Sequence, residues 1–326
     1  MFDIVGKRYW YFALSLAVII PGLIFMGLHL AKTGEILPLA IDFKGGTLLE
    51  VQFVQPLENV QPAEVKDFLV NELGLAGDTQ VQRSGDRGLL IRTEAIDEAK
   101  KTEIQTRLAQ RYGVEVDPTK QRFESVGPAV GAEVTQTALK AVLAASAGIL
   151  LYIAFAFRQM PKPLRYGACA IIAMLHDVLV VTGTAAIFGY FLGWQVDVLF
   201  LTALLTVISF SVHDTIVVFD RIRENLTKYR GEPFETIVNR SIVQTLDRSI
   251  NTQLTVMFTL LALALFGGAT IRHFVATLLV GVFSGTYSSI FNASPLLVVW
   301  ENGEIGQFFR RLFGRGAAVR PKQLAP

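Results

Sequence analysis

One cysteine in 326 residues, Cys169, removes any internal disulfide and any cysteine-based metal site from consideration. Histidine is scarce too, with four residues, and the two that precede an aspartate, His176 and His213, lack a credible third and fourth metal ligand, so neither a metal centre nor a cofactor is expected. Charge is low at 18%, against about 25% in ordinary soluble chains. No phosphate-binding loop, nucleophile elbow or nucleic-acid patch is present. The net charge of +2 is small as a sum, and its placement carries the information.

What the chain has is apolar length. With 52% hydrophobic residues and a mean hydropathy of +0.44, it concentrates them in six blocks, near 9–30, 137–157, 166–192, 198–219, 250–266 and 274–300. Blocks of about 18 or more apolar residues are membrane-helix length, and six of them exclude disorder, collagen and an ordinary soluble core. The fifth is the shortest. The first is longer than the core of a cleavable signal, and no clear small-x-small site follows it, so it reads as a retained anchor.

Lys and Arg in short loops stay in the cytoplasm and orient the spans. Lys7 and Arg8 precede the first block; Arg158, Lys162 and Arg165 fill the loop after the second. Arg221, Arg223, Lys228, Arg230 and Arg240 separate the fourth from the fifth, and Arg310, Arg311, Arg315, Arg320 and Lys322 lie in the tail. The opposite short loops, 193–197 and 267–273, contain only Arg272. Both termini are therefore expected in the cytoplasm, with 1–30 as N-terminus and first span, 133–303 as the other spans and 304–326 as a basic tail on the membrane surface. Residues 31–132 must then lie outside. They hold 12 Lys/Arg against 16 Asp/Glu, a balance of −4 that leaves +6 on the rest.

Within 31–132, residues 47–54 alternate, with Leu49, Val51 and Phe53 on one face, as in a half-buried strand. Pro62 starts a helix, with Val65, Phe68, Leu69 and Leu73 in helical period. Strand-like runs at 79–83 and 88–93 flank Gly85-Asp86, a second helix is expected over 95–112, and a last strand over 122–126. Strand–helix–strand–strand–helix–strand is the split, ferredoxin-like α+β arrangement. It carries no catalytic pattern and reads as a binding or lever module. Asp42 before Gly45-Gly46 reads as a turn closing the junction, with a ligand site as the alternative.

Ionisable groups inside membrane helices are functional candidates, because each costs a few kcal/mol or more there. Three positions qualify: His176-Asp177, His213-Asp214, and Asp247-Arg248 with the polar residues that follow. The first two share a repeat, His-Asp-x-[Leu/Ile]-Val-Val, which points to one polar patch facing protein rather than lipid. Asp214 is the strongest candidate. Ser211 and Arg221 share its helical face, burial favours its neutral form, and a nearby Arg favours the carboxylate. Arg248 is the expected cationic partner. The alternatives are a static buried ion pair for Asp214 and helix–helix hydrogen bonding for Asp177. Asp220, Arg221, Arg223 and Glu224 read as an interfacial charged turn. Gly281 and Gly285 permit close helix contact.

The run from His213 to Asn225, HDTIVVFDRIREN, resembles the fourth-span signature of the SecD/SecF family of protein-export membrane proteins, in the RND superfamily. So do IDFKGGT at 41–47, VGPAVG at 126–131, Asn239-Arg240-Ser241 and LDRSINT at 246–252, in the right order over nearly the whole chain. The resemblance implies an RND-type α-helical membrane protein of six spans in the cell inner membrane, a transport subunit rather than an enzyme. It implies pairing with SecD, a separate polypeptide, beside the Sec translocon channel (SecYEG), using the ion gradient, read as protons, to draw preprotein outward. In that family the first Asp of the run and the Arg before the fifth span belong to the ion pathway. Here they are Asp214 and Arg248, and Asp177 and His213 are placed with them on the polar patch. A small-molecule RND exporter and a passive assembly factor are the competing readings.

Overall fold

The computed structural model describes residues 2–57, 60–77, 79–158 and 162–304, with the side chains of 269 and 270 excepted. The basic tail expected beyond residue 304 lies outside the described residues. In chain order the elements are α1 (Arg8–Thr33), a short α2 (Ile41–Lys44), β1 (Gly46–Gln52), α3 (Pro62–Asn71), β2 (Gln80–Ser84), β3 (Gly88–Thr93), α4 (Glu98–Tyr112) and β4 (Arg122–Val126). Five long helices follow: α5 (Pro128–Ala156), α6 (Pro163–Leu192), α7 (Val198–Lys228), α8 (Phe234–Phe266) and α9 (Ala269–Ser288). A π-helical turn, Ser289–Ala293, joins α9 to α10 (Ser294–Glu301). Among the described residues six helical segments are long and apolar enough to cross a membrane, α9 to α10 counting as one.

The fifth apolar block is corrected by the structure. Its helix does not begin near 250 but at Phe234, and α8 is 33 residues long. Asp247, Arg248 and Asn251 interrupt the apolar run without interrupting the helical period. Val238, Ile242, Thr245, Ser249 and Gln253 are all buried and keep one face turned inward.

The chain divides into two compact units. One contains residues 37–143 and 193–201. Its four-stranded antiparallel sheet has the order β2-β3-β1-β4, with Leu49 paired to Ile91 and to Phe123. Leu49, Val51, Leu89 and Ile91 point to one face and are fully buried with Val65 and Leu69 of α3 and Ile104 and Leu108 of α4. At about 25 cal/mol per Å² of apolar surface, this cluster is the unit's main stabilising contact. The helix expected from Ala95 starts at Glu98, because Asp97 caps it by accepting the Lys100 N–H at 2.8 Å.

Gly45 (φ 79°) and Gly46 (φ 121°) turn the chain into β1. A Cβ on Gly45 would lie 2.7 Å from Pro128 Cα, and one on Gly131 would lie 2.6 Å from Gly45 N. The segments 41–47 and 126–131 therefore pack backbone to backbone, which requires glycine at both positions. Asp42 accepts the Val198 N–H at 3.1 Å, so its carboxylate caps the start of α7. Ala40 N–H donates to Val196 O at 2.8 Å and Val196 N–H to Pro38 O at 2.7 Å, tying the loop 193–197 to this unit.

The other unit contains residues 1–36, 144–192 and 202–326. Here α1 crosses α6 at Gly22 and Gly183, where a Cβ on either would come within 2.9 Å of the other's Cα. Gly281 and Gly285 of α9 meet α7: a Cβ on Gly281 would strike Val207, and one on Gly285 would lie 3.3 Å from Ser211 Cα. In lipid, where apolar side chains gain little by leaving one membrane helix for another, such close backbone approach is a principal source of helix association. Phe157, Tyr166 and Phe219 close one end of this unit, with ring centroids 5.4–6.0 Å apart.

Gly22→Leu is expected to cost about 1–3 kcal/mol by overpacking the α1–α6 crossing. Gly27→Leu, about one and a half turns further along α1 with nothing within 4 Å of its Cβ position, is expected to leave stability unchanged. Thermal unfolding of the two variants in detergent reads the difference.

Candidate functional site

Two aspartates are buried in the helical unit, and their surroundings differ. Asp177 on α6 is fully buried and accepts four hydrogen bonds. Ser284 Oγ (2.6 Å) and His176 Nδ1 (2.9 Å) reach Oδ1, and Ser211 Oγ (2.5 Å) and Ser288 Oγ (2.6 Å) reach Oδ2. Three helices thus meet on one carboxylate. Ser284 and Ser288 are one turn apart on α9, so both hydroxyls face the same way, and Gly285 between them lets α7 bring Ser211 close. Four donors match the capacity of a carboxylate.

Asp214 on α7, 3% exposed, accepts one hydrogen bond, from Gln253 Nε2 of α8 at 2.5 Å. On α8, Gln253 Oε1 and, one turn before it, Ser249 Oγ are buried without a hydrogen-bond partner. The site around Asp214 is therefore under-satisfied, whereas that around Asp177 is complete.

The expected pairing of Asp214 with Arg248 is not present. Arg248 is exposed on α8, and Gln253 occupies the place expected for it. The reason is helical phase: Ser249 and Gln253, four apart, share the inward face, and Arg248 lies about 100° away from Ser249. His213 is likewise exposed on α7. Ser211, expected on the face of Asp214, is buried and turned to Asp177. Arg221 bonds Gln244 Oε1 (2.8 Å) and Glu224 (2.5 Å), and Arg223 pairs with Asp220 (2.6 Å). Sequence reasoning does not single out Ser284, Ser288 or Gln253 as site residues. The serines are visible there only as small residues on a glycine-bearing face, and Gln253 only as one member of a polar run.

The run 213–225 on α7 continues into a clasp with α8. Asn225 donates to Ser241 Oγ (2.8 Å) and Gln244 Oε1 (2.9 Å). Asn239 accepts the N–H groups of Ile4 (2.8 Å) and Val5 (3.2 Å) and donates to Phe2 O (2.8 Å), which ties the N-terminal segment to α8.

Residues 107–303 match the family model described as protein export membrane protein SecD/SecF, C-terminal, and residues 37–57 match the SecD/SecF GG motif. The chain belongs to the SecD/SecF family. It is 54% identical to the protein translocase subunit SecF of Anaerolinea thermophila over 95% of its own length and 98% of that protein's. It is 38% identical to the protein translocase subunit SecDF of Thermus thermophilus, over 81% of this chain and 34% of that one. The crystal structure of SecDF from the same organism superposes with a TM-score of 0.76 at 34% identity, covering 92% of this chain and 39% of that chain. The chain thus spans about two fifths of the solved SecDF chain.

Within this family's fold, Asp177 is expected to bear more of the stability than Asp214. Asp177→Ala leaves three serine hydroxyls without their acceptor, at about 1–3 kcal/mol for each that finds no other. Asp214→Ala removes one bond. Thermal midpoints of the two variants, measured side by side, should fall further for Asp177→Ala.

Proposed function

We propose that this chain is the SecF-type subunit of a Sec translocation accessory complex, which pairs with SecD and uses the proton gradient across the inner membrane to promote preprotein export beside SecYEG. The observation that carries the reading is the contrast between the two buried aspartates. Asp177, with four donors, serves as a fixed hydrogen-bond hub that joins helices. Asp214, with one donor and the unpartnered Oε1 of that same Gln253 amide, has unmet hydrogen-bonding capacity and is the group that exchanges a proton. Protonation would turn an acceptor into a donor, for which Gln253 Oε1 is the adjacent acceptor. A switch of this kind biases two helix arrangements only if it interacts differently with each. Asp214 on α7 and Gln253 on α8 are suited to do so.

Arg248 is exposed on a helix of membrane length, where an isolated charge costs about 2.5–3.5 kcal/mol at the bilayer centre, and the polar His213 is exposed on α7. That cost supports a neighbouring polypeptide or a water-lined path against this face, and we assign the neighbour to SecD. Arg248 would then act in the ion path from that interface.

We place 31–132 outside the cytoplasm as a ferredoxin-like domain. The element order and the strand order β2-β3-β1-β4 support the fold. The backbone pairing of residues 38–40 with Val196 supports the side, since loop 193–197 has no Lys or Arg and the basic loops lie at the other helix ends. Both termini are then cytoplasmic.

Preprotein export and proton flux in membrane vesicles test the coupling. Asp214→Asn, which keeps shape and loses the titratable group, is expected to reduce both more than tenfold while the complex still purifies intact, and Arg248→Met to do the same. Unchanged export in both variants would sink the ion-coupled reading, and loss of the complex itself would favour a passive assembly role.

A further inference from the structure

A cavity of about 310 Å³ lies in the unit that contains the sheet, on the sheet face opposite α3 and α4. Arg92 of β3 and Gln80 of β2, paired across the ladder, form its floor. Lys44 and the Gly45-Gly46 turn form one wall, and Gln195 another. Arg92 is half-buried, its Nε is enclosed without a hydrogen-bond partner, and it takes part in none of the ion pairs among the described residues. Glu94 reaches the rim, yet it does not pair with Arg92. Burial lowers the guanidinium's pKa, and no neighbouring carboxylate offsets the effect.

A half-buried guanidinium with no ion-pair partner and an enclosed, unsatisfied Nε is costly unless something accepts its hydrogen bonds. Its fork geometry matches a phosphate bidentately, and a guanidinium is less strongly hydrated than an ammonium. The position of the cavity narrows the source. Pro128, on its wall, is the first residue of membrane-length helix α5, and Gln195 lies in the short loop joining two others. The loop with Gln195 is five residues between two spans and so sits at the bilayer surface, at the depth of lipid headgroups. Pro128 packs near it, nine residues before the apolar block of α5. The volume is at the small end of the range for ligand sites, which suits a phosphate ester rather than a folded segment.

We propose that this cavity is a phosphate-oxyanion site, held by Arg92 and filled by the headgroup of an anionic phospholipid.

The test uses the full chain purified in mild detergent with its SecD-type partner, in wild-type, Arg92→Lys and Arg92→Met forms. Phosphatidylglycerol binding is followed by native mass spectrometry and by the thermal midpoint, with inorganic phosphate and an acidic glutamate peptide as the other two probes. Wild type is expected to bind phosphatidylglycerol about tenfold more tightly than Arg92→Met, as the loss of a charge-assisted bond implies, with Arg92→Lys between them. Protection by phosphatidylglycerol but not by inorganic phosphate assigns the site to lipid; equal protection by both assigns it to free phosphate, supporting the oxyanion site and overturning the lipid source. Binding that is unchanged in Arg92→Met overturns the proposal, as does Arg92-dependent protection by the acidic peptide alone. Without added lipid, Arg92→Met should hold its midpoint at or above wild type; a fall there would make Arg92 a structural residue and overturn the site.

Discussion

A bilayer offers no water to a polar group, so a buried polar atom in the helical unit is satisfied by protein or left unmet. Asp177 shows how far that constraint reaches. Its carboxylate needs donors, the donors are serines on α7 and α9, and serine is short, so the helices must come close enough for a hydroxyl to bridge. They come that close only because Gly281 and Gly285 present no side chain to Val207 and Ser211. Small-residue packing and satisfaction of the carboxylate are one contact seen from two sides. A side chain added at Gly285 would press on the Ser211 backbone and Cβ and so disturb the bond from its hydroxyl to Asp177.

Against that complete set, the incompleteness around Asp214 gains meaning. Both aspartates are buried, both follow a histidine, and α7 carries both Ser211, which donates to Asp177, and Asp214 itself. The difference lies in α8, which turns Ser249 and Gln253 inward and sends Arg248 out. A buried arginine at this point would have given Asp214 a permanent counter-charge. A glutamine instead supplies one donor and one acceptor, and the acceptor is unused. An amide can serve either protonation state of the carboxyl, whereas a guanidinium serves only the anion.

Most of the architecture is legible from period and charge. Six apolar blocks, alternation in β1 and the helical stripe from Val65 to Leu69 each depend on nearest neighbours along one element, which sequence records directly. The site is legible only in part. Membrane energetics single out Asp177 and Asp214 without knowledge of their partners. Which α8 residue meets Asp214 depends on the rotation of a 33-residue helix, and an outward or inward Arg248 differs by one residue of phase. The polar run 247–255 looks like the approach to a span, and it lies mid-way along the continuous helix α8. The two His-Asp pairs look like a single patch, yet each aspartate has its own set of donors. Sequence shows that a polar group needs a partner; it does not show which of several polar residues in another helix supplies it.

The π turn between α9 and α10 follows from the same constraint. Tyr287 hydroxyl donates to Tyr11 O at 2.7 Å, and Asn292 Nδ2 donates to Ser15 Oγ at 2.8 Å. The two anchors on α1 are four residues apart, one α-helical turn, but those on the α9 side are five apart. In a regular α-helix a five-residue step rotates about 140° off the face, and Asn292 would miss Ser15. A π turn accommodates one extra residue and returns Asn292 to the α1 side. Pro295, which has no N–H to give the preceding turn, sits just beyond it, and Ser294 Oγ reaches back to Ser289 O at 3.4 Å. The local distortion thus lets one helix satisfy Asp177 with Ser284 and Ser288 and, on another side, hold α1 at two polar points. Without the π turn Ser284 and Ser288 would still reach Asp177, but Asn292 would turn away from Ser15.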